Sequence, residues 1–279
     1  MNPNTPYLFN HGSFTLEYRV YKGGDDVLLA FHGYGKSMND MEEFHDVLKE
    51  KYTIYAFNFF HHGNSVYPGD RIKKNTLLPG EWNTLMEEFL KEKNIPKFSL
   101  FGYSMGGKLC LEMLVHFRKQ IKSVYLLAPD GLKTNFWYAL TSRNRFGNTI
   151  YRALIKNPKP FFAAVSVLRF IRLLNKNLYR FVKTNLSTRE RRQMVYDVWM
   201  TMRHFKPSLQ KIGNVIREDD VKLYVLLGKY DKVIPAKLNK KVEKHIPVNC
   251  MVYIVDCGHN LIVPETVHTI SEILKKETY

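Results

Sequence analysis

Through residue 131 the chain alternates short runs of β-branched and aromatic residues with longer stretches in which apolar positions recur every three or four residues. The short runs at 14–21, 26–31, 52–59, 97–103 and 121–128 predict strands, and DVLLAF at 26–31 is apolar enough for a strand buried on both faces. The longer stretches at 39–51, 78–94 and 105–119 predict helices. In the first of these Asn39 is a capping residue, and Met41, Phe44 and Leu48 fall on one apolar stripe. Alternation of this kind predicts β-α-β units, hence an α/β fold with a mostly parallel central sheet flanked by helices. After residue 212 the same grammar resumes, with strands at 221–227 and 251–255 and helices at 236–245 and 264–276.

Residues 132–212 interrupt this pattern. They lack strand alternation, are rich in helical, basic and aromatic residues, and contain Pro158 and Pro160 as internal breaks. The expected organisation is therefore a core domain formed by residues 1–131 and 213–279, with a helical cap inserted at 132–212. A chain of 279 residues accommodates one such core and its insertion.

Charge sharpens the picture of the insertion. The chain carries +16, and between Gly131 and Ile212 seventeen Lys and Arg face only Glu190 and Asp197, so this segment holds +15 of the total. Within 161–183, Arg169, Arg172, Lys176, Arg180 and Lys183 recur at intervals of three and four. Phe162, Val165, Leu168, Ile171, Leu174, Leu178 and Phe181 do the same on an adjoining face, which predicts one basic amphipathic helix. A solvated outer face is the plainest use of such a stripe. Peripheral contact with an anionic membrane, or attraction of an anionic substrate, are the functional alternatives. Nucleic acid is disfavoured, because no RNP, helix-turn-helix or zinc pattern accompanies the charge.

Composition adds little beyond a globular class: 45% of residues are hydrophobic and 24% charged. The amino terminus has no basic region followed by an apolar one, and no apolar run approaches the ~18 residues that span a bilayer. The expectation is a soluble, cytoplasmic protein. Cys110, Cys250 and Cys257 lack metal-type spacing and read as free thiols, so neither metal nor cofactor is expected.

The chemistry is concentrated in three loops. Gly102-Tyr103-Ser104-Met105-Gly106 lies between an expected strand and an expected helix, where glycines on both sides allow a sharp turn that projects the serine hydroxyl above the sheet edge. Such a hydroxyl needs a base to take its proton and a carboxylate to orient that base. Asp231 follows the strand at 221–227, and His259 follows the strand at 251–255. Both therefore sit at the carboxyl ends of strands, where sites in open α/β sheets gather. Asp130, after the strand at 121–128, is a rival acid, and Asp231 is preferred because its strand directly precedes that of the histidine. The backbone N–H groups of Met105 and of Tyr34, in the FHGYG loop, are the expected oxyanion donors. His32 in that loop reads as a brace. Nothing in the sequence marks the residues that select the substrate.

FHGYG, NFFHHGNS, GYSMGG, GKYDKVIP and DCGHN together resemble the successive landmarks of the α/β-hydrolase superfamily, over nearly the whole chain except the insertion. The stretch 58–65 departs from the usual D-x-x-G-H-G-x-S pattern: Asn58 stands in place of the aspartate and His61 in place of the first glycine. Serine at the elbow argues against epoxide hydrolases and haloalkane dehalogenases, which carry aspartate there. The resemblance implies a small-molecule acyl substrate, hydrolysed at Ser104 through an acyl-enzyme. GYSMGG followed by Lys108 also resembles the menaquinone-pathway lyase that makes 2-succinyl-6-hydroxy-2,4-cyclohexadiene-1-carboxylate, which leaves proton abstraction by the same triad as an alternative. A binding protein on the same scaffold, without catalysis, is the alternative of another class.

Overall fold

The computed structural model describes residues 5–74, 76–132, 136–173, 176–246 and 248–278. Eight strands form one sheet: β1 (Tyr7–His11), β2 (Phe14–Tyr21), β3 (Asp26–Phe31), β4 (Tyr52–Phe57), β5 (Phe98–Tyr103), β6 (Ile121–Leu127), β7 (Lys222–Gly228) and β8 (Cys250–Val255). Their order is β1-β2-β4-β3-β5-β6-β7-β8. β1 and β2 pair antiparallel, β2 meets β4 antiparallel, and every other neighbouring pair is parallel. β5 is buried at all six positions, as expected of a central parallel strand covered on both faces.

The helices are α1 (Glu42–Leu48), α2 (Arg71–Lys74), α3 (Pro79–Glu92), α4 (Met105–His116), α5 (Phe136–Arg143), α6 (Arg145–Lys156), α7 (Lys159–Phe170), α8 (Lys176–Asn185), α9 (Arg189–Thr201), α10 (Leu209–Asp219), α11 (Asn239–His245) and α12 (Pro264–Thr278). Around the sheet, α1 packs on α12, while α3, α4, α10 and α11 touch in succession. Among the described residues no helix is long and apolar enough to cross a membrane. The three cysteines are free, with Cys110 buried.

The chain divides into two compact units, one of residues 1–68, 78–133 and 205–279, the other of residues 69–77 and 134–204. The second is helical: α2 and α5 to α9. It has its own small core, in which Tyr151 stacks on Tyr196 and the Tyr138 hydroxyl donates to the Met202 carbonyl at 2.6 Å. The buried Arg192 donates there from Nη1 to the carbonyls of Leu186 and Ser187. These bounds differ from 132–212 at both ends. Residues 69–77 group with the helices, and α10 belongs with the sheet because Leu209, Ile212, Val215 and Ile216 are buried on its inner face.

The single helix expected over 161–183 is instead two. α7 ends at Phe170, and Arg172 adopts φ 58, a left-handed conformation that no continuing helix permits. The apolar three-four spacing runs on through this break, which is why periodicity alone did not reveal it. Leu174 lies outside the described residues, as do the side chains of Lys176, Leu178, Arg180 and Phe181.

Candidate active site

From β3 the chain runs to β4 on one side and then to β5 on the other, so the sheet order reverses between β3 and β5. Loops leaving the carboxyl ends of strands diverge at such a point and open a crevice between them. The loop after β3 carries Gly33 and Tyr34, and the turn after β5 carries Ser104.

The turn at Ser104 is built by close backbone approach. Ser104 has φ 49 and ψ −109, a strained conformation for a residue with a side chain, and it is held by its own backbone. Its N–H donates to the Leu127 carbonyl at 2.8 Å, and its carbonyl accepts the N–H groups of Asp130 at 2.8 Å and Gly107 at 3.0 Å. At Gly106 an added Cβ would stand 2.0 Å from the Phe31 carbonyl oxygen, so only glycine lets α4 start this close to β3.

Ser104, His259 and Asp231 are brought together by the loops after β5, β8 and β7. The Ser104 hydroxyl lies 3.2 Å from His259 Nε2, and His259 Nδ1 lies 2.8 Å from Asp231 Oδ2. Because Nδ1 faces a carboxylate it carries the proton, leaving Nε2 as the acceptor of the serine O–H. Asp231 is fully buried at its side chain, and its other oxygen, Oδ1, accepts the N–H groups of Val233 at 2.7 Å and Ile234 at 2.9 Å. Those donors satisfy a buried carboxylate while leaving Oδ2 aimed at the imidazole. The Tyr103 hydroxyl donates to the His259 carbonyl at 2.9 Å, and burial, then the charge of Asp231, raise its pKa, so it remains a donor.

Asp130 is engaged elsewhere. Its Oδ2 is 2.5 Å from the buried Lys108 ammonium, and its Oδ1 accepts the Gly131 N–H at 2.8 Å.

Met105 is the first residue of α4, where N–H groups have no intrahelical partner and the helix dipole favours negative charge. Tyr34 lies in the turn after β3, next in sequence to Gly33. An added Cβ at Gly33 would fall 3.2 Å from the Ser104 Cβ, which measures how closely this loop approaches the serine.

Two neutral histidines brace that loop from below. His32 Nδ1–H donates to the Gly33 carbonyl at 2.6 Å, and its Nε2 accepts the Phe59 N–H at 3.1 Å. His62 donates from Nδ1 to the Phe60 carbonyl at 3.1 Å and accepts the Gly35 N–H at Nε2 at 3.2 Å. Their rings meet edge-to-face at 4.6 Å. Burial, then the charge of His62, holds His32 down to about 3, and burial lowers His62 as well.

Sequence reasoning did not find Tyr103, His62 or Glu17, the last a buried carboxylate on β2 that accepts the Asn58 side-chain amide at 2.6 Å, as parts of this assembly. The replacement of the usual aspartate by Asn58 was the available signal for Glu17, since a loop that loses its carboxylate needs another. No cluster of three His, Cys, Asp or Glu able to hold a metal ion occurs among the described residues.

The sequence profile of the alpha/beta hydrolase fold matches residues 26–266, and the chain belongs to that family. A Mycoplasma pneumoniae protein provisionally named esterase/lipase 2 is 25% identical over 236 residues, covering 83% of this chain and 81% of that one. Lipase 3 of Moraxella sp. (strain TA144) is 22% identical over 247 residues, covering 86% and 75%. In structure, a thermophilic esterase from Thermogutta terrifontis superposes with a TM-score of 0.68 at 14% identity, covering 98% of both chains.

Proposed function

We propose that this enzyme hydrolyses carboxylic esters or related acyl compounds, with Ser104 as nucleophile, His259 as general base and Asp231 as the orienting acid. The chain is a hydrolase of the esterase/lipase kind, a reading supported by its family and by the names of its relatives. The observation that carries the finer mechanism is the unbroken line of contacts from the Ser104 hydroxyl through His259 to the buried Asp231.

The Ser104 oxygen attacks the carbonyl carbon as its proton passes to His259 Nε2. Negative charge then gathers on the former carbonyl oxygen, where the N–H groups of Tyr34 and Met105 stabilise it. The C–O bond to the leaving group breaks, and the imidazolium returns its proton to the departing alkoxide, giving the alcohol and an acyl-Ser104 ester. Water enters, loses a proton to His259 and attacks the acyl carbon. Collapse breaks the bond between the acyl carbon and the Ser104 oxygen, which takes the proton back from His259, and the carboxylic acid leaves. Throughout, Asp231 fixes the histidine tautomer and stabilises the transient imidazolium.

A series of p-nitrophenyl esters of increasing acyl length tests this with the wild type and Ser104→Ala. The wild type should turn over at least one member, with the preferred length reporting the pocket. Ser104→Ala should lose ~10³-fold or more. Comparable turnover by the variant would reject the mechanism.

A further inference from the structure

Helix α7 presents its apolar residues to solvent. A surface helix ordinarily turns that stripe inward, yet of the twelve residues in α7 only Val165 is buried. Ala163, Ala164, Val167 and Phe170, which share one face at three-four spacing, are all exposed. Val167 is 58% exposed and Phe170 88%. The exposed strip continues past the helix end through Ile171 and Leu173, the latter 75% exposed. The turn that places them there is made by Arg172 at φ 58.

Basic side chains are interleaved with this strip. Arg172 lies inside it, and Arg169, one helical turn after the buried Val165, flanks it half-buried; the sequence from Gly131 to Arg189 contains twelve Lys and Arg and no Asp or Glu. Two properties of the strip select the partner. Docking a second copy patch on patch would bring like charges together without a compensating acid, which costs rather than gains. A nucleic acid would use the arginines but would leave Phe170, Leu173 and Val167 in water. An anionic bilayer satisfies both, since its headgroup layer attracts the arginines and its acyl boundary takes up the apolar side chains.

We infer that the end of α7 and the turn after it, Val167 to Leu173, form a docking surface for an anionic phospholipid membrane. Arg169 and Arg172 supply the attraction, and Phe170, Leu173 and Val167 insert at the interface. The surface lies in residues 159–173 alone and does not depend on the role given to Ser104.

The test is sedimentation of the full-length protein with extruded vesicles, either phosphatidylcholine alone or equal parts phosphatidylcholine and phosphatidylglycerol, near 0.15 M salt, where screening is strong over about 8 Å. The wild type and Ser104→Ala should pellet equally with the mixed vesicles and remain in solution with phosphatidylcholine alone. Arg169→Gln with Arg172→Gln should weaken binding by at least about tenfold. Phe170→Ser with Leu173→Ser should do the same, although it leaves the charge intact. Phe170, Arg172 and Leu173 are exposed and Arg169 is half-buried, so a melting temperature close to that of the wild type and unchanged hydrolysis of a soluble short-chain ester should accompany both changes.

Three results would overturn the inference. One is a wild type that ignores the mixed vesicles. Another is full binding by Phe170→Ser with Leu173→Ser, which would leave charge alone as the cause. The third is a wild-type dimer by light scattering that Phe170→Ser with Leu173→Ser converts to monomer, which would make the strip a contact between copies.

Discussion

The carboxylate of Glu17 on β2 accepts the side-chain amide of Asn58, at the end of β4, at 2.6 Å in the buried interior. Glu17 also accepts the Asn64 N–H at 2.8 Å and the Asn64 side-chain amide at 2.6 Å. Asn58 carries the contact onward, its Oδ1 accepting the Met38 N–H at 2.8 Å beyond the Tyr34 turn. Gly63, at φ 54, lies so close to Glu17 that a Cβ there would meet Oε2 at 2.1 Å. Burial alone would raise the Glu17 pKa, but hydrogen bonds from Asn64 and Asn58 and the charge of Arg19 bring it below the ordinary value. The carboxylate expected at position 58 therefore sits on the neighbouring strand, with the amide and the acid exchanged.

An exchange of this kind is reversible by mutation. Glu17→Gln removes the charge that collects three donors, and Asn58→Asp sets two carboxylates together, so each alone should cost about 2 kcal/mol. With both changes the amide introduced on β2 can donate to the carboxylate introduced after β4, and the double variant should lose at least about 1 kcal/mol less than the two singles added. Urea unfolding of the four proteins reads this directly, and strict additivity would reject the exchange.

The two candidate acids should behave differently. Asp231→Asn deprives His259 of its tautomer and of the charge that stabilises its imidazolium, and kcat should fall by ~10⁴. Asp130→Asn removes the carboxylate from the buried Lys108 and should lower stability by up to about 3 kcal/mol while sparing kcat in the folded fraction. Steady-state kinetics beside thermal melts separate the two. A dead Asp130 variant with an active Asp231 variant would move the acid to the β6 loop.

His32 sets a pH dependence of stability. Its folded pKa is lowered to about 3 from 6.5, so the unfolded chain takes up the proton first as the medium is acidified. Stability from this group is complete above pH ~6.5 and is lost progressively down to the folded value. Between pH 7 and pH 5 the loss should be about 2 kcal/mol. His32→Gln, which cannot titrate, should lose about that much less over the same interval, whatever its stability at pH 7. Identical pH dependence in both proteins would contradict a neutral, buried His32.

At the opposite end of the sheet Glu277 ties α12 to the strands. Its carboxylate meets the Lys51 ammonium at 2.5 Å and accepts the hydroxyls of Tyr224 at 2.6 Å and Tyr125 at 3.0 Å. Glu277→Ala should cost about 2–3 kcal/mol, because the hydroxyls and the ammonium lose their shared acceptor. Ester turnover by the folded protein should be unaffected, and a melting temperature within a degree or so of wild type would show the clasp to be incidental.

What could be read in advance follows the range of the interactions. β3, β5, β6 and β7 were legible because strands buried on both faces must be nearly continuously apolar, and the turn at Ser104 because glycines are needed within two residues of it. β1 escaped because Tyr7–His11 is an edge strand with one buried residue, Phe9, and so has no pattern to detect. Residues 209–212, the start of α10, were assigned to the insertion although the buried face of that helix packs with α4 and α11, since sequence shows that a helix is amphipathic and not what it packs against. Glu17 was invisible for a similar reason: its partner Asn58 is 41 residues away, and a polar residue in an edge-side strand reads as solvent-facing until the loop folds over it.

The central claim is that Ser104 forms a covalent acyl-enzyme, and the most direct measurement is mass spectrometry of the protein quenched with acid during turnover of a p-nitrophenyl ester. The account predicts an added mass equal to the acyl group less the hydroxyl hydrogen it replaces, located on the peptide containing Ser104 and absent from Ser104→Ala. Turnover of the ester with no acyl group on Ser104, or with the group on another residue, would contradict it.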